Sequence, residues 1–315
     1  MPGRAAAPCR RASTVTAEEA RGLPKLGINL VPVRADALVA AAAYAEELGF
    51  ESVWLGEHII TPLGDVASDY PGRAINFEPG SPIVDPLIAL SHIAAATSTI
   101  RLGTGVLCMP LRDPLLTARE IATLDYLCGG RLELGAGLGW MRDEYRALGR
   151  DWRRRGERLE EMLGILGGLF TGEPFEFHSG HFDIPPVLFG PRPLQLPRPP
   201  VHLSGQGPQA LARCAVLADG WIGGAKSVTD ITSIIDTLHA HRQAAGLPVD
   251  EFDISVIVLH RPTPEELRKL HRAGVHRVIA TPWDRQGGPP FPGQSDDITA
   301  LRAFADDIGI TTTPH

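Results

Sequence analysis

Glu57 and His58 stand directly after a short apolar run at 52–55. A carboxylate and an imidazole at the C-terminal end of a strand can exchange a proton with a bound molecule, imidazole being the side chain that titrates nearest neutrality. A loop histidine held by backbone hydrogen bonds would look the same at this level. A second segment, Gly103-Thr104-Gly105-Val106-Leu107-Cys108-Met109-Pro110, breaks a strand-like run with two glycines. Glycine inside a strand marks a bulge, the close approach of a flat ligand, or packing against a neighbouring strand. The third, Gly135-Ala136-Gly137-Leu138-Gly139-Trp140, misses the G-x-G-x-x-G spacing of a dinucleotide site and follows the fourth strand rather than the first. On a barrel its glycines would let backbone amides line the edge of a ring. The fourth, Ser204-Gly205-Gln206-Gly207-Pro208, joins a strand to a helix. Free amides at a helix start and a hydroxyl suit a phosphate, although an ordinary turn has the same composition. Gly223, Gly224 and Ser227 would complete that anion pocket.

Other chemistries find less support. His178-x-x-His181 and His239-x-His241 lack acidic or cysteine partners at ligand spacing, so no metal site is expected. Neither a G-x-S-x-G elbow nor a legible Cys/His pair points to covalent hydrolysis. Cys9, Cys108, Cys128 and Cys214 show no paired spacing, which fits a reducing cytoplasm. A net charge of -7 argues against nucleic acid as partner, and no apolar run reaches the roughly 18 residues of a membrane span. The one dense cationic cluster, Arg150, Arg153, Arg154, Arg155 and Arg158, is expected along a solvated helix start.

These segments need a scaffold that brings strand ends together. From about residue 25, apolar runs at 26–31, 52–55, 100–107, 132–136, 200–203, 220–222, 253–258 and 275–280 alternate with helical stretches at 35–48, 86–97, 114–127, 153–170, 208–217, 228–245, 264–273 and 296–307. Eight βα units favour closure into a (β/α)8 TIM barrel over an open doubly wound sheet. One domain is expected over 25–315, after a disordered extension at 1–24 that has no secretory h-region. Proline- and glycine-rich insertions fall at 57–85 and 172–199; the first is expected to roof the pocket, and the shape of both to set substrate choice.

The motifs together resemble the bacterial luciferase-like oxidoreductases, in particular the branch that uses the deazaflavin F420. The likeness lies in residues 48–58 and 100–107, Ala122-Thr123-Leu124-Asp125, residues 129–140, and Ala218-Asp219-Gly220-Trp221, in that order over nearly the whole chain. It implies a ring bound over a bulge in the third strand, with a non-proline cis peptide at Gly105–Val106. It further implies His58 as proton handler, Glu57 against the ring system, and Ser204, Gly205 and Gln206 around a phosphate. Cys108, Gly137, Asp143 and Gly224 join the cofactor-binding set, and Trp54 and Trp140 the substrate pocket. In one respect the chain departs from the branch: Trp140 stands where several relatives look to have a catalytic glutamate, and indole exchanges no proton at working pH. His58 is then left as the leading acid/base.

The expected activity is hydride transfer between F420 and a small organic substrate. A monooxygenase fed with reduced FMN by a separate reductase is the alternative, and a non-catalytic flavin-binding barrel a second, prompted by the missing acid/base residue. The expected partners are the substrate, a flavin or F420 reductase system and a second copy of the chain, since such barrels often pair through outer helices into homodimers.

Overall fold

A computed structural model describes residues 22–61, 63, 83–224, 227–283 and 298–310. The strands are β1 (Lys25–Asn29), β2 (Ser52–Leu55), β3 (Arg101–Thr104), β4 (Leu107–Cys108), β5 (Leu132–Gly137), β6 (Phe175–His178), β7 (Asp183–Val187), β8 (Val201–Leu203), β9 (Gly220–Gly223), β10 (Asp253–Val258) and β11 (Arg277–Ala280), and all but β6 and β7 fall on the apolar runs of the sequence. The helices are α1 (Leu38–Leu48), α2 (Pro86–Ala96), α3 (Pro114–Leu127), α4 (Arg142–Ala147), α5 (Arg155–Leu169), α6 (Pro208–Leu217), α7 (Val228–Ala244), α8 (Pro264–Arg272) and α9 (Thr299–Ile308). Aspartates punctuate two helix starts: Asp85 accepts the amides of Leu87 and Ile88, and Asp113 those of Leu115 and Leu116, each followed by proline. Gly49 closes α1 at φ 87°, a left-handed conformation that glycine adopts without steric cost.

Parallel pairing runs β1–β2–β3–β5–β8–β9–β10–β11, and β11 returns to β1. The ring is therefore a closed (β/α)8 barrel, its third strand split into β3 and β4, both paired with β5. The single strand expected at 100–107 thus stops at Thr104 and resumes at Leu107. Two elements exceed the sequence-based expectation: the short helix α4, and the antiparallel hairpin β6–β7 inside the second insertion. Of the first insertion, residue 62 and residues 64–82 lie outside the described residues, as do residues 1–21 of the expected N-terminal extension; Leu23 is already buried. Among the described residues no helix is long and apolar enough to cross a membrane.

The hairpin climbs α5 to its N-terminal end, where Arg158 stacks 4.3 Å over Phe182. This corrects the reading of the arginine cluster as wholly solvated. Arg158 is 9% exposed and donates to the carbonyls of Pro110 and Arg112, and Arg155 lies 3.6 Å over the Trp152 ring. Aliphatic stems and flat guanidinium faces bury well where carbonyls meet the donors.

Most buried apolar side chains lie between the strands and the helices, while a separate cluster of Trp54, Ile222 and Ile279, with Val106 and Ile257, fills the barrel itself. Trp54 is the largest of these, and its placement overturns the expectation that it shapes a substrate pocket. It is 1% exposed, and its indole N–H donates to Ser52 Oγ at 2.8 Å. A Cβ on Gly103 would sit 2.2 Å from the indole, so that glycine makes room for a core tryptophan rather than for a ligand.

Below this layer, at the N-terminal ends of the strands, the barrel is plugged by charge. Arg277, 2% exposed, donates to both oxygens of Glu51 at 3.0 Å and to Ser255 Oγ at 3.0 Å, and faces Asp253 at 3.4 Å. Glu133 lies 2.7 Å from His202 Nε2 and is paired with Arg101. Burial opposes ionisation of Glu133 and Asp253. The His202 hydrogen bond and the Arg277 charge outweigh it at Glu133, and the Arg277 charge does so at Asp253, so both carboxyls are held below the ordinary range. A carboxylate whose pKa is depressed on folding stabilises the protein above its unfolded value and loses that contribution as pH falls. Urea midpoints are therefore expected to hold from pH 7 to about 5 and to fall steeply below about pH 4, the unfolded carboxylate range. A midpoint insensitive to acid down to about pH 3 would remove the charged layer from the account of stability.

Candidate functional site

Where β2 ends, residues 56–59 cross the C-terminal rim of the barrel between two buried carboxylates. Glu57, 5% exposed, accepts the Cys108 amide at 2.6 Å through Oε2 and the Arg112 guanidinium through Oε1. Arg112 also grips Asp85, so one side chain ties together both ends of the first insertion. Both Glu57 oxygens are thus engaged by the protein. Across the loop, Glu144 of α4 is fully buried; its Oε1 accepts the Ile59 amide at 2.7 Å and lies 3.2 Å from His58 Nδ1. The His58 ring stands edge-on to Trp140, with centroids 5.1 Å apart and an interplanar angle of 75°.

Beside this loop, between β3 and β4, the Gly105–Val106 peptide is cis. Gly105 donates its N–H to the Leu55 carbonyl at 2.7 Å, and a Cβ on Gly56 would lie 3.1 Å from the Gly105 carbonyl oxygen. The loop carrying His58 therefore runs against the cis peptide. On the other flank, a Cβ at Gly135 would fall 1.9 Å from the Thr104 carbonyl oxygen, so only glycine lets β5 approach there. Gly137 links the cis peptide to the next turn, its Cβ position lying 2.9 Å from Val106 Cγ2 and 3.4 Å from Ser204 Cβ.

That turn is tied down by hydrogen bonds to backbone carbonyls. Ser204 donates its amide to the Ala136 carbonyl, Trp221 donates its indole N–H to the Gly205 carbonyl at 2.8 Å, and Gln206 donates its side-chain amide to the Gly224 carbonyl. Pro208 opens α6 and no side chain caps it, which leaves first-turn N–H groups for an anion. The structure thus gathers His58, Gly105, Val106, Gly137, Trp140, Ser204, Gly205, Gln206 and Gly224 along one arc of the rim. Glu57 and Cys108 buttress it from behind; the buried Cys108 thiol is pushed well up by burial and by the nearby Glu57 and Glu144 charges. Asp143 turns to Arg146, 2.9 Å away.

The chemistry of this arc suits a planar ring that carries a phosphate, with glycines at 105 and 137 and an uncapped helix start. A Cβ placed on Gly105 would meet only ordinary contacts, the nearest at 3.7 Å, and the uncapped α6 start stands ready for a phosphate. Glu144 and Arg112 escaped the sequence reading. A six-residue helix has no periodicity to read, and Arg112 shows its role only once Glu57 and Asp85 are brought to it. Among the described residues no group of three metal-ligating side chains gathers.

The sequence profile of the luciferase-like monooxygenases matches residues 7–300. The chain belongs to that family. An uncharacterized protein of Mycobacterium tuberculosis is 30% identical over 275 residues, 86% of this chain and 93% of that one. The FMNH2-dependent dimethylsulfone monooxygenase of Pseudomonas putida is 30% identical over 187 residues, 58% of this chain and 51% of that enzyme. Among solved structures, an F420-dependent secondary alcohol dehydrogenase bound to an F420–acetone adduct superposes with a TM-score of 0.74 at 15% identity, covering 91% of this chain and 99% of that one. The proteins to which this chain is similar in sequence or fold thus include users of both carriers.

Proposed function

We propose that this luciferase-like protein is an F420-dependent oxidoreductase that moves a hydride between the deazaflavin and a small alcohol, carbonyl, imine or activated alkene. The observation that carries the reading is the imidazole of His58, a proton-exchanging side chain held by Glu144 on the loop whose Gly56 packs against Gly105. Hydride transfer to a carbonyl carbon leaves an oxygen that must gain a proton, and the reverse reaction must lose one. When bound, the deazaflavin supplies the two-electron carrier. Gly105 and Val106 support its ring, while Ser204, Gly205 and Gln206 with the first turn of α6 hold its phosphate. His58 exchanges the proton, and Trp140 lies edge-on against the imidazole and limits its reorientation. The TM-score of 0.74 with an F420-dependent dehydrogenase supports the same reading.

A second reading, oxygen activation with FMN reduced by a separate reductase, draws on the similarity to the dimethylsulfone monooxygenase. A titration separates the two. Purified protein is expected to bind F420 much more tightly than FMN and to take up no oxygen with reduced FMN. Tighter FMN binding, with oxygen uptake, overturns the F420 assignment in favour of the monooxygenase.

A further inference from the structure

Glu144 is an unusual carboxylate. It is 0% exposed, its Oε1 serves the Ile59 amide and the His58 ring, and its Oε2 has no hydrogen-bond partner among the described residues. A buried carboxylate oxygen left unmet is costly, and such groups recur where function needs them. Packing alone would be better served by an apolar residue at this point of α4. What the carboxylate provides is a fixed acceptor beside Nδ1. An Oε1 that already accepts the Ile59 amide is an acceptor, so the ring nitrogen facing it is the donor.

We propose that Glu144 is the positioning residue of this site: it fixes His58 as the Nδ1–H tautomer and leaves Nε2 as the atom that exchanges a proton with substrate. One oxygen holds both the ring and the amide of the next residue, so the imidazole and the loop backbone are set against the same atom. When Nε2 gains a proton, the imidazolium lies 3.2 Å from a carboxylate whose second oxygen still has lone pairs to offer. Trp140 closes the ring's flank and completes the orientation. The inference rests on the reading that His58 handles the proton, and its test separates the two.

Long-range proton–nitrogen spectra of the full chain labelled at histidine report the tautomer directly, with His58 assigned by its loss in His58→Ala. The wild type is expected in the Nδ1–H form, and Glu144→Ala is expected to shift His58 toward the Nε2–H form. Glu144→Gln keeps an acceptor for the Ile59 amide, and so the loop. It should retain the Nδ1–H form yet lower kcat about 10- to 100-fold with KM little changed, because the charge that stabilises the imidazolium is gone. A wild-type His58 in the Nε2–H form, or a tautomer that Glu144→Ala leaves unmoved, overturns the positioning role whichever cofactor binds. If Glu144→Ala does not fold, the wild-type tautomer and Glu144→Gln decide the matter. Should the tautomer respond as expected while His58→Ala turns over at the wild-type rate, the orienting contact stands and the assignment of His58 as proton handler falls.

Discussion

Replacing His58 by alanine is expected to lower turnover about a hundred- to ten-thousand-fold while leaving cofactor affinity essentially unchanged. The separation follows from where the side chain sits. The ring is fastened by Glu144 and flanked by Trp140, whereas Gly105 and the Ser204–Gln206 turn are held by bonds to backbone carbonyls that do not pass through it. Trp140 cannot substitute, since indole neither gains nor gives a proton near neutrality. The measurement is steady-state turnover with F420 on a panel of small alcohols, carbonyls, imines and activated alkenes, alongside a fluorescence titration of the cofactor. Full activity in His58→Ala would assign proton transfer to another group or to water; lost affinity instead would make the histidine a binding residue.

Arg277→Ala should have the largest effect on stability, about 3 to 5 kcal/mol, without altering cofactor binding. The guanidinium is buried at the opposite end of the barrel from His58, where it neutralises Glu51 and Asp253 and lies 4.0 Å from Glu133. Removing it leaves those carboxylates facing one another in a water-poor interior, which costs far more than a surface ion pair contributes. Urea unfolding at pH 7 gives the difference directly. A change below about 1 kcal/mol would show that water enters the layer and screens it.

The scaffold was readable because barrel strands are buried on both faces. Continuous apolar runs such as 253–258 and 275–280 stand out from the helices between them, and Asp113-Pro114 and Gly49 mark helix ends by local chemistry. The glycines of the third and fifth strands were visible as exceptions, but their reasons differ one by one. Gly103 accommodates Trp54, and Gly135 admits the Thr104 carbonyl. Local sequence cannot tell these cases apart, because each depends on what the neighbouring strand places opposite. The same limit hid Glu144, whose function arises from a contact spanning 86 positions, and misplaced Trp54, whose rotamer turns into the barrel because Gly27 and Gly103 leave space there. The arginines of 150–158 read as solvated because sequence registers their charge and not the carbonyls of Pro110 and Arg112 waiting for one of them.

A crystal structure of the protein soaked with F420 bears most directly on the whole account. The deazaflavin ring is expected against the Gly105–Val106 peptide, with its phosphate at Ser204–Gln206 and His58 facing the ring's reactive carbon. A ring bound elsewhere on the barrel, or an arc at Gly105 and His58 closed by side chains in the loaded protein, would end it.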